Sequence, residues 1–271
     1  MQSLEPNILT PEDARFRDIS IAHAALVAEV RQARVDFTSF VKLCVVDEAA
    51  NPFKLEDMHL YWHRHVAWCW RKGYKAGIMA HWGGGKSAGL VVPLPAWLLG
   101  ANPNLRIKIV CSSTELARER VEAVKTLITS PLYRRVFPHI KPGKSWKSSE
   151  FTVVRTGQMA DQSLQAKGVF GKGVGKRADV LIFDDVVDQL NATVPEQRKK
   201  VREFISNTWL GRLTAGGKVL WISTPWNTDD ATYHIMKRPN WCFLVQRVAE
   251  DMSYIEQEIH AADTNDYPRE W

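Results

Sequence analysis

Three consecutive glycines, Gly83, Gly84 and Gly85, run directly into Lys86 and Ser87, inside the stretch "GIMAHWGGGKSAGLVVP". Glycines let successive backbone N–H groups curl around an anion, and the N-terminus of a following helix adds partial positive charge. A lysine and a hydroxyl at the end of such a loop suit a phosphate chain and the magnesium that accompanies it. This chemistry works only with a strand before the loop and a helix after it. Outside that context the same residues would be a turn. The usual pattern opens with a glycine where Ala80 stands.

The flanking sequence supplies the context. "AGIMAH", "LRIKIVCSS", "FTVVRTG", "ADVLIFDD" and "GKVLWISTPW" are short β-rich runs. Between them lie "KSAGLVVPLPAWLLG", "STELARERVEAVKTLITS" and "VPEQRKKVREFISNTWLGRL", which have helical patterning. Strands alternating with helices predict an α/β fold, a mostly parallel central sheet flanked by helices. The glycine run falls at its first strand-to-helix turn. Pro93 and Pro95 remove backbone donors from the helix expected after Ser87, which should be kinked or short. Residues 1–55 read as a helical region opened by Thr10 as N-cap and Pro11. Residues 56–250 read as the core, and 251–271 as a linker leading out of it.

Two further motifs belong with the loop. "ADVLIFDDVVD" places Asp184 and Asp185 after four apolar residues. An ATP-hydrolysing site needs one carboxylate for the Mg²⁺ water shell and another group to position the attacking water. Asp184 suits the first role and Asp185 the second, with Asp188 and Glu196 as alternatives for the water. "VLWISTPW" ends a buried run in Ser223 and Thr224, hydroxyls that would touch the γ-phosphate or cap the next turn.

These motifs, in this order, resemble the ATPase domain of the large terminase subunit, the DNA-packaging motor of tailed phages. The resemblance is carried by "MAHWGGGKSAGL", "KIVCSSTELARERVEAVKTLI", "LQAKGVFGKGVGKRADVLIFDD" and "LWISTPWNTDDATYHI". It implies a RecA-like (ASCE) P-loop NTPase core with an N-terminal helical lid, using ATP and Mg²⁺. By motif position Lys86 and Ser87 would be Walker A, Asp184 Walker B, Asp185 the catalytic carboxylate and Ser223–Thr224 the coupling motif. It also implies translocation of double-stranded DNA into a procapsid by a homo-oligomeric ring, a pentamer, docked on the portal. The small terminase subunit would select the DNA, and the setting would be the host cytoplasm. The nuclease cluster of the family would lie beyond residue 271, so no nuclease activity is expected here. His81 and Trp82 stand where the family commonly has an arginine, and Asp185 where its best-known members have glutamate.

Lesser signals carry two readings each. Arg177, in a Gly-rich basic loop with Lys172 and Lys176, is the nearest match to the family's trans-acting arginine; Arg202 and Arg212 also lie near motifs. Phe53 or His59 stands where such ATPases contact adenine, or packs into the core with Trp62 and His63. The alternatives to a packaging motor are a P-loop helicase or recombinase, which would need a second motor domain or strand-separating element, and a poorly hydrolysing nucleotide-dependent assembly module.

Bulk composition narrows little further. A net charge of +6 fits an anionic partner without requiring one. The four cysteines are widely spaced and form no CxxC pair, which predicts free thiols rather than a zinc site or disulfide framework. The histidines between Met58 and His65 lack a third metal ligand in sequence. No apolar run is long enough to span a membrane.

Overall fold

A computed structural model of the chain describes residues 11–171, 176–248, 254–261 and 267–268. The expected N-cap Thr10, Lys172, and 251–253, 262–266 and 269–271 of the expected linker lie outside them.

The centre is a nine-stranded sheet. In chain order its strands are β1 (Lys75–Met79), β2 (Ile107–Cys111), β3 (Pro142–Trp146), β4 (Glu150–Val153), β5 (Leu164–Gly168), β6 (Ala178–Asp184), β7 (Leu213–Ser223), β8 (Trp241–Val248) and β9 (Tyr254–Ala261). They lie side by side as β3-β4-β5-β2-β6-β7-β1-β8-β9. The six from β5 to β8 are parallel, and β3, β4 and β9 are antiparallel edges. The apolar run of β6 follows from this: covered on both faces, a central parallel strand has no solvent side on which polar residues would alternate.

Helices cover both faces. The helices are α1 (Pro11–Val35), α2 (Phe37–Cys44), α3 (Asp57–Lys72), α4 (Pro93–Ala101), α5 (Thr114–Thr129), α6 (Pro131–Val136), α7 (Gln189–Thr193), α8 (Pro195–Phe204) and α9 (Ala231–Met236). One face packs Ile78, Ile109, Ile182 and Leu220 against Trp62 and Val66 of α3, Leu94 of α4 and Val121 of α5. The other packs Leu181, Phe183, Val219 and Trp221 against Val201 of α8, Ile235 of α9 and Trp209. Burying each large apolar side chain contributes about 1.5–3 kcal/mol. The helical layer of α1 and α2 adds Phe40 and Val41 to the first cluster. It is tied down by Arg34 Nε donating to Val136 O at 2.7 Å and Trp97 Nε1 donating to Ala33 O at 3.0 Å.

Local chemistry sets the element ends. Ser113 caps α5 by accepting from Leu116 N, and Gly73 (φ 86°) ends α3 in the left-handed conformation that glycine adopts without strain. The expected disturbance after Ser87 is present. Residues Ser87–Val91 form a π-helical turn, closed by Val92 N donating to Ser87 O, and α4 restarts with Pro93 at its first position. There the missing proline N–H costs nothing, because the first turn of a helix has no partner for it.

Three strands carried no expectation, and one reading is corrected. β5 comes before the basic loop and carried no expectation. β3 and β8 carried no expectation at all. The region read as a linker contains β9, paired in register with β8 from Cys242↔Ala261 to Val248↔Tyr254.

Candidate functional site

β7 lies between β1 and β6, so "ST" of β7 rises between the lysine loop and the acid pair. The register aligns Met79 with Ser223 and Ile222 with Asp184, which makes the three carboxyl ends flush. Crevices at the carboxyl ends of parallel strands are where α/β folds bind ligands.

The loop after β1 turns through Gly83 (φ 79°) and Gly85 (φ 71°), a backbone region that disfavours any side chain. Lys86 is buried and its ammonium donates to three oxygens: Ala80 O at 3.0 Å, His81 O at 2.6 Å and Thr224 Oγ1 at 3.0 Å. Burial pulls Lys86 below its ordinary pKa, opposed by the negative charges of Asp185 and Asp184. The lysine is thus folded back over its own loop and clasped to β7. Ser87 follows, half-buried, at the start of the π turn.

The acid pair is held differently at its two members. Asp184 is fully buried, and its Oδ2 accepts from Arg120 Nε at 2.7 Å. Burial raises the Asp184 pKa, Arg120 opposes the rise, and Asp185 adds to it. Asp185 sits at φ 45°, a conformation rare for residues other than glycine, asparagine and aspartate. Two backbone bonds fix it there: Asp185 N donates to Ile222 O of β7, and Ser112 N beyond β2 donates to Asp185 O, both at 3.1 Å. Such positions persist where the surroundings over-determine them, commonly at functional sites.

Three oxygens in this cluster are buried without a protein partner: Asp184 Oδ1, Asp185 Oδ1 and Ser223 Oγ. Buried polar atoms are nearly always satisfied, so three orphans at adjacent strand ends mark a place where something polar or cationic belongs. Hard oxygen donors of this kind suit Mg²⁺ and its water shell.

His59 lies beneath the loop, closed off from a base. Its Nδ1 accepts from Glu56 N at 2.9 Å, which leaves the proton on Nε2; Nε2 donates to Gly84 O at 3.0 Å. Both ring nitrogens are used, the ring is 4% exposed, and Phe53 meets it edge-on at 5.3 Å between centroids. The pair shapes the glycine loop. Next to it His63 Nε2 donates to Gly89 O at 2.9 Å, bracing the turn after the loop.

Arg177 is exposed and directly precedes β6, so it stands at the amino end of that strand while Asp184 ends it. Seven strand residues separate them by about 23 Å. Arg212, exposed at the start of β7, lies at the same far edge. Arg202 is engaged with Asp229, donating to its O at 2.8 Å and Oδ1 at 3.3 Å. Of the alternatives to Asp185, Asp188 is committed to capping α7 through Asn191 N at 2.8 Å, and Glu196 is exposed in the first turn of α8.

Sequence reasoning missed Arg120. It lies three residues after Ala117 and four before Val124, both buried, so it flanks the inward face of α5. A buried arginine calls for a carboxylate, and that was the available signal.

All four cysteines are free and buried, as expected. Cys69 and Cys242 lie with His65 in a fully buried group whose ligand atoms are within 4.8 Å of one another. His65 is already committed: Nε2 bonds Gly77 O at 3.0 Å and Cys242 O at 3.2 Å, and Nδ1 bonds Tyr267 Oη at 3.0 Å. The group therefore ties α3 to β1 and β8. Among the described residues no helix is long and apolar enough to cross a membrane.

No protein-family model and no curated protein matches the chain. Solved structures do. The large terminase of bacteriophage HK97 superposes with a TM-score of 0.55 at 15% identity, over 75% of this chain and 40% of that one. A point mutant of the Thermus phage P74-26 large terminase ATPase domain aligns at 0.45 and 18% identity, over 68% and 70%. The chain spans two fifths of the length of the HK97 protein. At this level of identity the likeness lies in the backbone: the chain shares the α/β fold of the matched part of the HK97 bacteriophage large terminase.

Proposed function

We propose that this chain is the ATP-hydrolysing motor domain of a viral large terminase, driving double-stranded DNA into a procapsid. The observation that carries the reading is the lysine of a glycine loop clasped to Thr224 beside three buried, unpartnered oxygens. The fold shared with the HK97 large terminase supports it.

In this reading Gly83, Gly84 and Gly85 present backbone N–H groups to the phosphates of ATP. Lys86 leaves its carbonyl partners for the β- and γ-phosphate oxygens while staying within reach of Thr224. Ser87 and Asp184 would hold Mg²⁺, which supplies charge neutralisation across the phosphates. Asp185, held rigidly between β2 and β7, accepts a hydrogen bond from the attacking water and aligns it. Ser223 and Thr224 sit beside the γ-phosphate, where its loss is felt. Arg177 lies too far from its own acid pair to act on it, which fits delivery to a neighbouring subunit's site in a ring, a pentamer in the working motor. The portal and small terminase subunit would be its partners in the host cytoplasm.

The test is fluorescent-nucleotide binding together with phosphate release, with and without duplex DNA. Wild type should bind ATP in Mg²⁺ and turn it over. Lys86→Ala should lose turnover by about a hundredfold or more, in keeping with the loss of a charged donor to a developing oxyanion. Undiminished turnover in that variant would overturn the assignment.

A further inference from the structure

We infer that Arg120 is a built-in substitute cation. By holding Asp184 Oδ2 it keeps the carboxylate from taking up a free divalent ion, so the metal enters with its nucleotide. The inference rests on the reading of Asp184 as a cation-holding carboxylate.

Asp184 has no exposed surface, and an uncompensated buried carboxylate is costly. Lys86 does not contact it directly; its three bonds go to Ala80 O, His81 O and Thr224 Oγ1. Among the described residues the cation touching Asp184 is Arg120, through Nε at 2.7 Å, from a side chain 21% exposed. Burial works against the Arg120 charge, and the groups beside it, Asp184 first among them, more than offset that and hold its pKa up. The two acids at the end of β6 thus have the Arg120 guanidinium in contact and the Lys86 ammonium near by, and their charge is countered before anything binds. A bare divalent ion would arrive at a site with no net attraction for it. A metal already carried on a polyphosphate arrives held by the phosphate oxygens and does not depend on the acid pair alone.

The geometry also says where the ion goes. Arg120 occupies Oδ2, and Oδ1 is buried and unpartnered, as are Asp185 Oδ1 and Ser223 Oγ next to it. The guanidinium approaches through a single nitrogen from the α5 side, so it fixes the carboxylate's orientation without covering the oxygen left for a cation's water shell. Arg120 is a positioning residue, acting through Asp184.

The experiment is Mn²⁺ titration of the whole chain, followed by electron paramagnetic resonance, with no nucleotide present. Wild type should bind Mn²⁺ weakly. Arg120→Gln should bind it at least tenfold more tightly, and Arg120→Lys, which keeps the charge, should stay within threefold of wild type. Adding Asp184→Asn to Arg120→Gln should abolish the gain and so place the ion at Asp184. Arg120→Met preserves the packing of the stem and gives the same reading should the glutamine variant fail to fold. Equal Mn²⁺ affinity in wild type and the neutral variants, or a gain that survives Asp184→Asn, overturns the inference. Nucleotide binding is read separately: a wild-type chain that binds no ATP analogue sinks the ATPase reading, whereas the Mn²⁺ series tests the ion pair alone.

Discussion

Lys86 Nζ stands 3.0 Å from Thr224 Oγ1, so the lysine of one strand end is clasped by the hydroxyl of the next. Replacing Thr224 with Val removes that acceptor and keeps the shape. Nucleotide affinity should change by only a few-fold, because the loop and the ammonium remain. Turnover should fall about tenfold or more, the loss of one well-placed group near the reacting phosphate. Steady-state kinetics beside equilibrium binding separates the two; an equal loss in both would make Thr224 a binding group only.

Asp185→Asn keeps a side chain that tolerates a left-handed backbone and removes the charge that would align the water. ATP binding should persist while hydrolysis drops by a hundredfold or more. Isothermal titration and phosphate release on the same sample decide it. If binding disappears instead, Asp185 holds the metal.

Gly83 and Gly85 should respond unequally to alanine. Both have positive φ, a strain of about 1–2 kcal/mol for a residue with a Cβ. A Cβ at Gly83 meets nothing within 4 Å, whereas one at Gly85 comes to 3.1 Å from His59 Nε2 and 3.3 Å from Phe53. Gly85→Ala should therefore lower thermal stability more than Gly83→Ala, and perturb the His59–Gly84 bond as well. Paired thermal melts check this; equal shifts would refute the packing argument.

His63 and His65 should make the fold acid-sensitive. Burial drives each folded pKa from 6.5 down to about 4, with the hydrogen bonds to backbone carbonyls opposing. The folded chain keeps them neutral, while the unfolded chain takes up protons below pH 6.5. Their contribution is complete above that pH and is lost as pH falls from 6.5 towards 4, up to about 3 kcal/mol for each histidine. Urea unfolding from pH 7.5 to 4.5 measures the slope, and His63→Gln should flatten it. An unchanged slope would mean that the ring is solvated.

Asp230 is fully buried at the start of α9, accepting from Thr232 N at 2.8 Å and Tyr233 N at 3.3 Å. Asp230→Ala should cost about 1–2 kcal/mol as a lost cap, and Asp230→Asn less. Denaturant midpoints give the comparison, and indistinguishable variants would remove the cap from the account.

The parts of the fold that were legible are those with strong local chemistry. "VLIF" and "VLWI" announce central strands, Pro93 announces the interruption after the loop, and Ser113 and Thr114 start α5. The missed strands are of another kind. β3, "PGKSW", is short and mostly polar, and its pairing partner β4 decides its state. β9 exists because β8 offers it an edge. In the candidate site, motif spacing located Lys86, Asp184, Asp185, Ser223 and Thr224, and the strand order brings their backbones together. Spacing left His59 open between an adenine contact and a place in the core, because the choice depends on how α3 docks against the loop. Arg120 was hidden for a related reason: its partner is 64 positions away in sequence.

With β7 wedged between β1 and β6, the strand ends that bear the lysine loop and the acid pair stand two inter-strand spacings apart, about 10 Å. Backbone ladders set that width, so rotamer changes cannot rescale it. The separation acts as a ruler: it sets the reach between the lysine loop and the acid pair, and point substitutions at either end can weaken a contact but cannot alter the length being measured.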